Sequence, residues 1–155
     1  MMKKRAIQLG IVLGMLLLVA PYAASHCEVP CGIYDDGLRF KMIAEDLDTI
    51  EKAMKQIQGL AKETPVNYNQ LVRWINTKED HANRIQHIVS QYFMTQKVKL
   101  GSDHYTEKLS ILHHMLVYAM KCKQTTDLKN VEILRDLLHK YSHGQFDYSH
   151  KKDEK

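Results

Sequence analysis

The chain has 155 residues, 45% hydrophobic and 26% charged, with seven Gly, three Pro and three Cys. This fits one small globular domain and excludes a collagen-like, low-complexity or disulfide-dense chain. The formal charge of +4 includes Lys3, Lys4 and Arg5, which lie in a segment expected to be removed. Without it 19 of the 22 basic residues face all 18 acidic ones, so no strong basic field remains and nucleic acid is not an expected partner.

Residues 1–5 are positively charged, and residues 6–20 are apolar apart from Gln8, Gly10 and Gly14. Pro21-Tyr22 breaks the run, and Ala23-Ala24-Ser25 supplies small residues. This is the pattern of a secretory signal. An apolar run of 15 residues is shorter than the roughly 20 needed to span a bilayer. Bulky His26 before Cys27 argues against lipoprotein processing. With Ala23 and Ser25 framing the cut, signal peptidase is expected to cleave between Ser25 and His26. The mature chain then begins His26-Cys27, keeps no membrane segment, and is exported to a bacterial periplasm or secreted.

Beyond Tyr34 apolar residues recur at steps of three and four, which places each set on one helical stripe. The spacing predicts a first helix over 37–62 (Ile43, Leu47, Ile50, Met54, Ile57) and a second over 69–94 (Leu71, Ile75, Ala82, Ile85, Val89, Tyr92, with Lys78 interrupting). A third is predicted over 104–122 (Tyr105, Leu109, Leu112, Leu116, Ala119) and a fourth over 127–141 (Val131, Leu134, Leu138, Tyr141).

Boundary signals agree. Thr64-Pro65 separates the first two helices, and Asn67 with Gln70 suits a capping box. Gly101-Ser102-Asp103 and Thr125-Thr126-Asp127 read as helix starts. No segment sustains a period of two. The expected fold is all-α, an antiparallel four-helix bundle preceded by an N-terminal metal-binding hook. The expected organisation is a signal at 1–25, the hook at 26–34, the bundle at 35–142 and a polar tail at 143–155.

Such bundles serve many functions. None of the nine His residues has a Glu three positions before it, so the Glu-x-x-His pairs of di-iron bundles are missing. No C-x-x-C-H, P-loop, G-x-S-x-G or H-E-x-x-H motif occurs. Ligating chemistry concentrates instead in His26-Cys27-Glu28-Val29-Pro30-Cys31-Gly32-Ile33-Tyr34.

Cleavage before His26 frees an α-amine next to an imidazole, the Cys27 backbone nitrogen and the sulfurs of Cys27 and Cys31. Amine with amide, and amide with its own thiolate, each close a five-membered chelate. Pro30 and Gly32 allow the bend that brings Cys31 in. Planar coordination with axial imidazole favours nickel first and copper second, whereas zinc prefers tetrahedral side-chain ligands.

H-C-x-x-P-C-G-x-Y at a processed terminus, ahead of a four-helix chain, closely resembles nickel-containing superoxide dismutase. The match falls on His26, Cys27, Pro30, Cys31, Gly32 and Tyr34, and the resemblance covers the mature chain. It implies dismutation of superoxide to O₂ and H₂O₂ by one nickel ion per subunit cycling between +2 and +3. It also implies ligation by the His26 amine and imidazole, the Cys27 amide and thiolate, and the Cys31 thiolate. Tyr34 lines substrate access, and His26 is both ligand and catalytic residue. The family assembles as a homohexamer.

In the family a glutamate on the first helix and an arginine on the second orient the axial imidazole. Alignment puts Glu45, or else Met42 or Ile43, and His81 at those places; Arg84 is one turn away and Arg73 two. Two other readings stand beside the enzyme. One is an exported nickel- or copper-binding helical protein without catalysis. The other is a structural bundle stapled by a Cys27–Cys31 disulfide. Gly32-x-Tyr34 favours the enzyme, since a chelator has no need of it. Cys122 is expected to be a partly buried free thiol. Adjacent His113 and His114 point about 100° apart on a helix and make a poor metal pair.

Overall fold

The computed structural model describes residues 36–144. Helix α1 spans Asp36–Leu60, α2 Tyr68–His87, α3 Tyr105–Gln124 and α4 Lys129–Ser142. No strand occurs among the described residues. Each helix packs on the next, and α4 closes back onto α1.

Cross-helix bonds fix the antiparallel sense. The start of α1 meets the end of α4 through Phe40 and Tyr141, and its end reaches the start of α4 through Gln58 and the Thr126 carbonyl. Arg135 on α4 binds both Asp48 and Glu51 on α1. Those two acids share one face of α1 because they lie three residues apart.

The helices begin where local chemistry supplies acceptors for orphan amides. The Asn67 side chain accepts from the Gln70 amide at 3.2 Å. Thr125 Oγ1 accepts from the Asp127 amide, and Asp127 Oδ1 from the Lys129 amide. Before α3 the chain turns through Gly101 at φ 70° and His104 at φ 55°. His104 therefore stands just outside α3, in a backbone conformation uncommon for any residue but glycine.

The core contains Ile43, Leu47, Ile50 and Met54 from α1, Ile85 from α2, Ile111, Leu112 and Met115 from α3, and Leu134 and Leu137 from α4. Two sequence expectations need correcting. On α3 Leu112 and Ala119 are buried as expected, together with Ile111, Met115, Tyr118 and Cys122, while Tyr105, Leu109 and Leu116 are only partly buried. Ile88, Phe93 and Ile111, none of them on the stripes predicted from the sequence, are also buried within this bundle.

The second correction concerns the segment that carries Ile88 and Phe93. Past His87 the chain does not continue as a regular α-helix but as a π-helical segment, Ile88–Lys97. Wider turns bring residues five apart into line. Side chains support this register: Thr95 Oγ1 donates to the Ser90 carbonyl at 2.7 Å, and Gln96 Nε2 to the Gln91 carbonyl at 3.2 Å. Tyr92 and Phe93 both turn inward as a result.

Lys78 interrupts the apolar stripe of α2 in sequence, yet it is buried. Its ammonium donates to the Cys122 carbonyl at 2.8 Å and also to the Lys123 carbonyl. These are orphan acceptors at the C-terminal end of α3, where the helix dipole favours a cation.

Candidate metal centre

His26, Cys27, Cys31 and Tyr34 lie outside the described residues. Among the described residues no group of three or more His, Cys, Asp or Glu is gathered to hold a metal ion. His113 and His114 have ring centres 6.1 Å apart, and His114 Nδ1 is engaged by the Ser110 carbonyl at 2.7 Å. Asp136 binds Lys140 at 2.6 Å.

The third sulfur, Cys122, is fully buried in the core. Burial pushes its thiol up to about 12, with the Lys78 ammonium pulling weakly the other way. A thiol held protonated is a poor ligand. The ligands expected from the sequence, His26, Cys27 and Cys31, combine nitrogen donors with two ionisable sulfurs, a donor set that would suit nickel.

Within the bundle one polar cluster bears on such a centre. Asp46 is 1% exposed and sits on the core side of α1. Its Oδ1 accepts from His81 Nδ1 at 2.7 Å across the α1–α2 interface. Arg84 Nε, one turn along α2, is 3.4 Å from the same oxygen, on a side chain half exposed. Asp46 Oδ2 is buried with no hydrogen-bond partner among the described residues. A buried carboxylate oxygen left unpaired is costly, so such groups are uncommon outside functional sites. Arg84 connects this cluster to a groove lined also by Arg39, Met42, Asn83, His87 and Ile88.

Glu45, the acid aligned from the sequence, points elsewhere. It is exposed, and the bond it takes part in is from Thr49 Oγ1 to its backbone carbonyl. The structure pairs His81 with the neighbouring Asp46. Helical phase carried the signal for Asp46: it falls between Ile43, Leu47 and Ile50, an acid on the apolar stripe. Met42 lines the groove and Ile43 lies in the core.

The described residues form a bundle of four helices, and the ligands expected from the sequence lie ahead of the first helix, outside those residues. The family model for nickel-containing superoxide dismutase matches residues 21–147, spanning both those ligands and the bundle. The chain belongs to the nickel-containing superoxide dismutase family, and it is an enzyme of that kind. Comparison with curated proteins and with solved structures found no match.

Proposed function

We propose that the mature chain dismutes superoxide at its own amino terminus, with one nickel ion per subunit held by His26, Cys27 and Cys31. The observation that carries this is the family match, which runs across the whole of residues 26–34. Bound there, nickel would supply one-electron redox between +2 and +3, which two thiolates and an anionic amide would make accessible. The net reaction would take two superoxide anions and two protons to O₂ and H₂O₂.

The chain's own groups then have definite tasks. The freed amine and imidazole of His26 complete the nitrogen donors. Tyr34 orders the small anion and water at the entrance, and the amides of Cys31 and Gly32 donate hydrogen bonds to it. Asp46 and His81 act behind His26. The free Oδ2 of Asp46 accepts from the His26 imidazole and fixes its orientation, as outer partners of metal-bound histidines do.

The reach is sufficient. The ten residues from His26 to Asp35 extend up to about 33 Å, while Asp46 lies only about 15 Å along α1 from Asp36. The remaining length allows the hook to curl.

The amine exists only after cleavage between Ser25 and His26, so metal loading follows export to a periplasm or the exterior. Assembly as a homohexamer is what the family resemblance implies, and an exposed apolar stripe on α2, where Tyr68, Val72 and Ile75 are 71%, 52% and 37% exposed, offers a surface for contact between subunits. These residues share one helix face.

The deciding experiment compares two forms, one beginning at His26 and one with a single alanine added before it. Nickel content and superoxide decay are measured on both. The first form is expected to bind nickel and dismute, and the second to do neither at more than background. Equal dismutation by the extended form overturns the reading. Nickel binding without dismutation in the first form supports the chelating alternative.

A further inference from the structure

Asp36 is the first residue of α1 and stands two positions after Tyr34. Its carboxylate is held by the π-helical segment that follows α2. Asp36 Oδ1 accepts from the Tyr92 hydroxyl at 2.8 Å and pairs with Lys97 Nζ, also at 2.8 Å. The Tyr92 ring is 3% exposed. The Arg39 guanidinium lies 4.9 Å and the Lys97 ammonium 5.3 Å from its centre.

Tyr92 and Lys97 are five residues apart, so the π-helical register places both on one line facing Asp36. In an ordinary α-helix they would diverge. Beneath them Phe40 stacks on Phe93 at 5.0 Å, with Tyr141 edge-on. Shifts in acidity follow the same contacts. Burial and the Asp36 hydrogen bond raise the Tyr92 hydroxyl, and the Asp36 hydrogen bond raises the Lys97 ammonium.

The Lys97–Asp36 pair is partly open to solvent, with side chains 34% and 41% exposed. Pairs of this kind add little to global stability. Their leverage here is geometric, because they hold the first residue of α1, to which the hook is joined through Asp35.

We infer that Tyr92 and Lys97 are positioning residues for the reaction, clamping Asp36, the helical residue to which the hook is covalently joined. This rests on the reading that the hook is the catalytic centre. A ligand set on a loosely rooted segment loses rate through small misplacements, so the clamp acts on turnover while leaving the ligands themselves intact.

Tyr92→Phe, Lys97→Met and Lys97→Arg, each in the chain beginning at His26, test the inference. Nickel per chain, turnover and NMR amide order parameters over residues 33–37 are measured. Tyr92→Phe keeps the buried ring, and Lys97→Arg keeps the charge. Tyr92→Phe and Lys97→Met are expected to bind nickel as the parent does. Their turnover falls about five- to tenfold, the scale of one lost hydrogen bond near the surface, and order parameters at 33–37 drop toward values below about 0.6. Lys97→Arg restores both.

Turnover within twofold of the parent and unchanged order parameters in both variants overturn the inference. A parent that binds no nickel and does not dismute instead overturns the reading of the hook's chemistry. The order parameters, measured without metal, then still decide whether the clamp roots this segment.

Discussion

His81 Nδ1 donates to Asp46 Oδ1 at 2.7 Å, joining the middle of α2 to a carboxylate buried on α1. Asp46→Asn and His81→Gln are expected to lower dismutation about ten- to a hundredfold while the helices persist, the usual effect of losing an outer partner of a metal-bound histidine. Glu45→Gln, one residue away on the exposed side, is expected to change activity less than twofold. Steady-state superoxide decay on nickel-matched samples checks the contrast. Equal losses at positions 45 and 46 contradict it.

Lys78→Met retains length and apolar packing but removes the donor to the Cys122 and Lys123 carbonyls. Buried carbonyls left without a partner cost about 2 kcal/mol. The expected result is a lower urea midpoint with unchanged m-value. Lys55→Met removes only an exposed pair with Glu51 and is expected to shift the midpoint far less.

Alkaline pH should weaken the fold through Cys122. Its thiol ionises at an ordinary value of 9.0 when unfolded and at about 12 in the folded core. Between these values the unfolded chain binds fewer protons, so the contribution is whole below pH 9 and declines as pH climbs toward 12. Tyr141, raised to about 12 chiefly by burial, adds to the decline above its ordinary value of 10.0. Denaturant titrations at pH 8 and pH 10 are expected to differ more for the parent than for Cys122→Ala. Native Cys122 is also expected to resist maleimide at pH 8, whereas metal-free Cys27 and Cys31 react.

Removing nickel should leave the bundle folded. The core formed by Leu47, Ile85, Leu112 and Leu134 contains no ligand and closes on itself. Chelation is expected to abolish dismutation while the far-ultraviolet circular dichroism of the helices remains. Loss of helix signal together with the metal would show that the hook supports folding.

Four helices were legible because Ile43, Leu47, Ile50 and Met54, like Val131, Leu134 and Leu138, repeat at helical spacing and are buried as that spacing requires. Asn67 and Asp127 also cap where their chemistry suggested. The π-helical register was not legible, since a change from four-residue to five-residue bonding leaves the same apolar letters in place. Lys78 read as an interruption because sequence periodicity cannot see acceptors on another helix, and the Cys122 and Lys123 carbonyls are 44 and 45 residues away. The bond between His81 and Asp46, the neighbour of the expected Glu45, was not legible either. Adjacent acids look alike in composition, and only their angular position relative to Ile43 and Leu47 separates exposed from buried. The hook itself was read from ligand chemistry and family resemblance, and its residues lie outside those described.

The five-residue bonding between Ile88 and Lys97 has a bearing on descent. A stretch wound this way accommodates more residues per turn than its neighbours, so losing one residue there can tighten a coil without breaking the bundle. Related chains of different length are expected to absorb a gap at this place. Tyr92 and Lys97 should then be traced in them by the partner each faces, not by counting from Tyr68.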